Sequence, residues 1–338
     1  MKKLTPYRVI TIILLVIVAL TFVFPFYWII TGAFKLQSVA IALPPEWFPK
    51  EPTMENFVKL FKNPALKWLF NTVFISLTSM VLVCLTASLA GYAIAKKRFY
   101  GQHIVFSLIV CAMALPKQVV LVPLVRIMDT LHRSSLMYVV FAVVMILLLW
   151  VILAQVKKKY KLMSVQGLAG VAVAAVVGAI LWLLVMNPLL GKMGDKNLTD
   201  TLWAVILPTV GWPFGVFLMK QFSETIPTEI LEAARIDGAG ELKTFVSVVC
   251  PIIKPGFGAL AIFTFINTWN DYFLQLIMLR SRSNLTISLG IATLQAEFAT
   301  NYGLQMAGAA LGAIPIVIVF LVFQKYFTQG ITMGAVKG

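Results

Sequence analysis

Charge is what this chain has least of. Only 12% of its 338 residues are Asp, Glu, Lys or Arg, and acids are the scarcer sign, 13 against 28. A soluble domain carries roughly a quarter charged residues, so this chain cannot coat a water-facing surface. With 60% hydrophobic residues and a mean hydropathy of +0.92, the composition is that of an integral membrane protein. Histidine is nearly absent, with His103 and His132 the two examples. The three cysteines, Cys84, Cys111 and Cys250, are odd in number and lie in or beside apolar runs. They read as small apolar packing residues, which excludes a disulfide framework. No clustered His/Cys and no Gly-rich loop ending in Gly-Lys-Ser/Thr occur, so no metal, ATP or other cofactor site is expected. Nor do Ser/His/Asp, paired carboxylates or a metal set form a catalytic cluster, so the chain is not read as an enzyme. The net charge of +15 sits in short basic clusters between apolar runs. That is the pattern of cytoplasmic loops, and no nucleic-acid partner is expected.

What is present is a series of apolar runs of spanning length. Residues 9–30 form the first, preceded by Lys2, Lys3 and Arg8, which puts the N-terminus inside. Its length, Pro25 and the bulky belt Phe26, Tyr27, Trp28 argue against a cleaved signal peptide. An outer loop over 32–66 follows, where Pro44, Pro45, Pro49 and Pro52 forbid a long regular element. Helix 2 is expected over 68–95, ending at Lys96, Lys97, Arg98, and helix 3 over 103–124, containing Pro116, Lys117 and Pro123. A lysine within a spanning segment is a functional candidate, with snorkelling to the outer surface as the plainer alternative. Two apolar runs, 136–156 and 167–186, are joined by Lys157, Lys158, Lys159 and Lys161 and read as an extra hairpin whose turn lies inside. Helix 4 is expected over 198–222, broken or kinked by Pro208, Gly211, Pro213 and Gly215, with Gly211 and Gly215 as a small-residue packing face. Helix 5 is expected over 256–279, an outer loop over 280–304 and helix 6 over 306–323. In helix 5, Asn267, Asn270 and Asp271 are costly in a bilayer unless they face water or partners.

Between helices 4 and 5 lies a polar, helical, water-facing interior stretch, residues 228–255. Thr228 is expected to cap a helix whose first turn carries Glu229 and Glu232. Ile230, Leu231, Ala234 and Ile236 are expected to line one side of that helix. Gly238 and Gly240 then break it, and a second short helix over 241–249 is expected to stop at Pro251 and Pro255.

The order Glu232-Ala233-Ala234, three residues, Gly238, then a hydrophobic run ending in Pro251 resembles the EAA loop of bacterial ABC importer permeases. Val248 and Cys250 stand where that family usually has Ile and Leu. The text of helix 2 and the terminal TQGITMGAVKG are similar to the same family, in its carbohydrate-uptake, MalG-like group. The resemblance implies an all-α integral membrane fold of eight transmembrane helices: a six-helix type I importer core plus the inserted hairpin. The implied division is 1–135 (helices 1–3), 136–187 (hairpin) and 188–338 (helices 4–6, the coupling loop 228–255 and the tail). It further implies that Glu232, Ala233, Ala234, Arg235, Asp237, Gly238 and Pro251 couple the chain to an ATPase. Lys117, Asn267, Trp269, Asn270 and Asp271 are the implied candidates to line the pathway. The implied partners are a second, MalF-like permease, two ATP-binding subunits, an extracellular or lipid-anchored solute-binding protein, and membrane lipid. The implied location is the bacterial cell membrane, with both termini cytoplasmic. The implied cargo is a sugar or oligosaccharide, with glycerol phosphate or another polar solute as the alternative. An ion-coupled secondary transporter is the rival from another class, for which Lys117 and Asp271 are the ionisable candidates.

Overall fold

A computed structural model describes residues 6–131, 197–297 and 301–335, with 325–335 described by backbone alone. Among the described residues the regular elements are all helices. This is the expected outcome for apolar segments in lipid, where every backbone N–H and C=O must be satisfied within the segment. Three helices are long and apolar enough to cross a membrane: α1 (Pro6–Ala33), α4 (Ala65–Lys96) and the Tyr302–Gln324 part of α14 (Tyr302–Ala335). Three further helix pairs qualify only as bent spans. The outer loop after α1 holds two short helices, α2 (Gln37–Ala40) and α3 (Glu55–Phe61), with the prolines between them.

Two segments expected as single helices are broken. The third segment divides into α5 (Gln102–Ala114) and α6 (Lys117–Thr130). Pro116 has no N–H and excludes the residue before it from the helical region, and Leu115 is extended at φ −76°, ψ 129°. Pro123, by contrast, stays inside α6. The fourth divides at Gly211 and Trp212 into α7 (Leu202–Val210) and α8 (Pro213–Glu224), bent by 41°, as its glycines and prolines lead one to expect. The fifth divides into α11 (Lys254–Trp269) and α12 (Tyr272–Met278), with Asn270 and Asp271 between them. Asp271 caps α12 by accepting from the Leu274 N–H at 3.4 Å. The loop expected over 280–304 contains a helix, α13 (Ile287–Glu297).

The chain forms two compact units, residues 1–119 with 205–338, and residues 120–204. The core of the first is α4 packed against α8 and α11. Closeness is decided at Gly91, where an added Cβ would stand 2.6 Å from the Lys220 backbone nitrogen and 2.8 Å from the Met219 carbonyl carbon. Gly215 faces Ala87 and Val83 across the same contact, whereas Gly211 has only the Pro208 carbonyl oxygen near it, at 3.9 Å. The expected small-residue face of helix 4 therefore reduces to Gly215, which meets Ala87 and Val83, while Gly91 of α4 meets the backbone of Met219 and Lys220. At the start of α4, Trp68 Nε1 donates to the Arg282 carbonyl (2.7 Å), and Asn71 Nδ2 donates to those of Ser283 and Leu285 (3.0 and 2.9 Å). Thr72 Oγ1 accepts from the Ile287 N–H at 2.8 Å. These buried groups hold the segment before α13 by its backbone. In the second unit, Leu198 N–H donates to the Leu131 carbonyl (2.8 Å), and Asn197 donates to Asp129 (2.9 Å). The hairpin expected over 136–187 lies outside the described residues.

Candidate functional site

The stretch that carries the Glu-Ala-Ala order folds as α9 (Thr228–Ile236) followed by α10 (Glu241–Ile252). Thr228 is not the cap. Pro227 holds that position at φ −59°, ψ 138°, with Thr228 already helical and no side-chain cap bond. The apolar side expected of α9 is buried at Leu231 alone, 4% exposed, whereas Ile230 is 41% and Ile236 86% exposed. Leu231 enters a cluster with Phe222, Ile226, Phe245, Val249 and Ile253. Nine residues make two and a half turns, so one leucine seats the helix while its other faces remain outward. Glu232 and Ala233 are among the exposed residues, and Glu232 makes no hydrogen bond or ion pair among the described residues.

The three-residue spacing from Ala234 to Gly238 has a backbone reason. Gly238 adopts φ +75° and its N–H donates to the Arg235 carbonyl (2.9 Å), while the Ala239 N–H donates to the Ala234 carbonyl (2.9 Å). This pair of bonds is the Schellman closure, which satisfies the last carbonyls of α9 and needs a left-handed residue after the cap. Asp237 is the exposed cap residue itself.

Two lysines from the end of α4 hold the loop, a role that the basic turn at 96–98 did not announce. Lys96 Nζ donates to the carbonyls of Glu224 (3.2 Å) and Ile226 (2.6 Å), the segment entering α9. Lys97 pairs with Glu241 at the start of α10, and Arg235 of α9 reaches the same carboxylate at 3.4 Å. The Lys97 hydrogen bond is the main reason the Glu241 carboxyl titrates below its ordinary value, with the Lys97 and Arg235 charges lowering it further against a partial desolvation. Tyr92 of α4 packs on Phe245 of α10 with ring centroids 5.4 Å apart.

Pro251 does not stop the second helix. A π turn over Phe245–Val249, in which the Cys250 N–H bonds to the Phe245 carbonyl, precedes it, and the helical path continues through Ile252. The wider turn moves aside the carbonyl that a proline ring would otherwise strike. The break falls at Ile253 (φ −88°, ψ 14°), just before Lys254-Pro255, where the chain bends 79° into α11.

Of the pathway candidates, the structure brings three together. Lys117, the first residue of α6, places its Nζ 3.1 Å from Asn267 Oδ1 and 3.8 Å from Asp271 Oδ2. The same Nζ lies 5.8 Å from the ring centre of Trp212, a contact the sequence reading missed. The other two stand apart. Trp269 is 2% exposed and stacks on Phe265 within α11. Asn270 is exposed and donates back to the Ile266 carbonyl of its own helix at 2.9 Å.

The described residues thus hold three helices of membrane-crossing length, or up to six spans if each bent pair counts as one, with a helix pair closed by a Schellman turn between the fourth and fifth segments. The chain belongs to the family of binding-protein-dependent transport system inner membrane components, whose model matches residues 157–333. Among its relatives is the arabinooligosaccharides transport system permease protein AraQ of Bacillus subtilis, 27% identical over 336 residues covering 98% of this chain and 96% of that protein. The maltodextrin transport system permease protein MdxG of the same organism is also 27% identical, with the same coverage. The fold is shared with a solved bacterial ABC transporter involved in import of the acidic polysaccharide alginate. That structure matches at a TM-score of 0.66 and 17% identity, over 97% of this chain and 100% of the other.

Proposed function

We propose that this chain is the membrane-spanning permease subunit of an ATP-driven, binding-protein-dependent importer for a sugar or oligosaccharide. The observation that carries the coupling part is α9. It is anchored through Leu231 and the Lys96 and Lys97 contacts, yet it presents Glu232, Ala233, Ile230 and Ile236 outward with no partner of their own among the described residues. Exposed isoleucines beside an unpaired carboxylate, on a helix that buries one leucine, suit a protein partner better than bulk water. In this reading Ala233 and Ala234 permit close approach, Glu232 fixes the docked helix, and Gly238 sets the turn. Arg235 and Asp237 border the contact, and Pro251 shapes the return into α11. Two ATP-binding subunits would meet this loop, and a second permease would complete the pathway. A solute-binding protein would deliver cargo from the opposite side, as suits the oligosaccharide systems in which the relatives are named. Eight spans, including a hairpin over 136–187, with both termini cytoplasmic, complete the proposal.

The pairing of Lys117 with Asp271 is the feature that an ion-coupled carrier would also use. Purifying the tagged chain from its native membrane separates the two readings. Recovery of a second permease, an ATPase and a binding protein supports the importer, and the binding protein's ligand names the cargo. Recovery of the chain alone, with uptake that collapses with the ion gradient and persists without ATP, overturns it.

A further inference from the structure

Three helix breaks in the first unit meet at one side chain. Lys117 begins α6 directly after the Leu115–Pro116 break. Trp212, with its ring centre 5.8 Å from that ammonium, is the second of the two residues between α7 and α8. Asp271, at 3.8 Å, is the second of the two residues between α11 and α12, and Asn267, at 3.1 Å, lies one turn before that break. Broken helices at membrane depth are tolerated where the break is buried in protein or lines a water-filled cavity. Packed elements shift between discrete arrangements about such break residues. The Asp271 carboxylate is already engaged as the cap of α12, so its contact with Lys117 joins the first turn of α6 to the first turn of α12. The Lys117 side chain is 54% exposed and that of Asp271 21%, so this link lies at the surface of the chain and is not sealed in its core.

We propose that Lys117 is a latch that holds these three breaks together in one state of the transport cycle and releases them in the other. The inference rests on the reading of the chain as an importer permease. In the latched state the ammonium is shared between Asn267 and Asp271 over the face of Trp212. In the released state α12 keeps its cap but loses Lys117, and the breaks are free to separate. A single exposed charge contact biases such an equilibrium by at most about fivefold, which suits a contact that must break in every cycle.

The test uses the assembled transporter, purified with its partner subunits, carrying Lys117→Cys and Asp271→Cys in a background where Cys84, Cys111 and Cys250 are serine. A short, reducible bifunctional thiol reagent should cross-link the pair several-fold more in one of two conditions, nucleotide-free or vanadate-trapped. The cross-link should stop uptake, and reduction should restore it. Equal cross-linking in both conditions, or a cross-linked transporter that moves solute at the uncross-linked rate, overturns the latch. Lys117→Met and the conservative Lys117→Arg, which leaves the Asp271 cap in place, supply a second measurement without cysteines. Lys117→Met should change ATP hydrolysis in the absence of binding protein, and Lys117→Arg should stay close to the original. Unchanged hydrolysis in Lys117→Met also counts against the latch. If the wild-type assembly hydrolyses no ATP and contains no ATPase, the importer reading itself fails, which is a different result.

Discussion

At Gly238 the backbone alone sets the requirement. Its φ is +75° and an added Cβ would meet nothing within 4 Å, so a substitution there meets no steric clash with neighbours. The left-handed region costs an ordinary residue roughly 1–2 kcal/mol, and Asn less. Gly238→Val should therefore loosen the Schellman turn and, on the proposed importer reading, lower ATP-coupled uptake, while Gly238→Asn should retain most of it at equal membrane content. Equal uptake by both variants would show that the turn geometry is irrelevant to coupling. Glu241 allows a pH test at the same turn. Its carboxyl is held below the ordinary 4.5 by the Lys97 hydrogen bond and the nearby cations. A depressed folded value means the contribution is present above the ordinary range and is lost as pH falls through the depressed one. Amide protection of residues 236–244, compared between wild type and Glu241→Gln at each pH, should differ at neutral pH. The two should converge once pH falls below 4.5 and passes the depressed value. A difference that persists unchanged into strong acid would remove Glu241 as the cause.

The elements show which features of the chain can be read from sequence and which cannot. Hydropathy placed α1, α4 and α14 because a spanning helix must satisfy its own backbone and be predominantly apolar over its length. Prolines were less informative. Pro25, Pro123, Pro208 and Pro315 all sit inside helices, while Pro116 breaks one, and Pro251 follows a π turn instead of ending its helix. Whether a proline interrupts depends on where the strained carbonyl can go, and that is decided by neighbours the sequence does not show. The clamp of Trp68, Asn71 and Thr72 on residues 282–287 was invisible for a similar reason, since its partners lie more than 200 residues away. The Glu-Ala-Ala turn was readable because its logic is local. Close approach of α4 to α8 is a matter of whole elements and yields its own test. An added methyl at Gly91 would strike backbone at 2.6–2.8 Å, whereas at Gly215 it would meet the Ala87 Cβ at 3.1 Å. Overpacking costs about 1–3 kcal/mol, and more where only backbone can yield. Gly91→Ala should lower the thermal unfolding temperature in detergent more than Gly215→Ala does. The reverse order would mean that the α4–α8 contact does not control stability.

For the molecule as a whole, the uneven covering of its spans sets up a comparison between the chain and its assembly. In the most apolar window of α1 none of the residues is buried, against 33% for α4. Lipid tails are as apolar as leucine, so an aliphatic side chain facing lipid gains nothing from packing that a smaller one would lose. Truncating a core residue instead leaves a cavity, and Ile75, fully buried in α4, should cost about 2–5 kcal/mol when changed to alanine. In the isolated chain, Leu14→Ala and Ile17→Ala, at positions 58% and 55% exposed, should leave the unfolding temperature almost unchanged, while Ile75→Ala lowers it clearly. Anything that binds only the folded chain raises its apparent stability, so the same α1 changes carry different information in the purified complex. If a second permease covers α1, Leu14→Ala or Ile17→Ala should destabilise the complex although neither affects the chain alone. If both remain silent in the complex as well, α1 faces lipid throughout, and the proposed second permease is to be sought on another face of the chain.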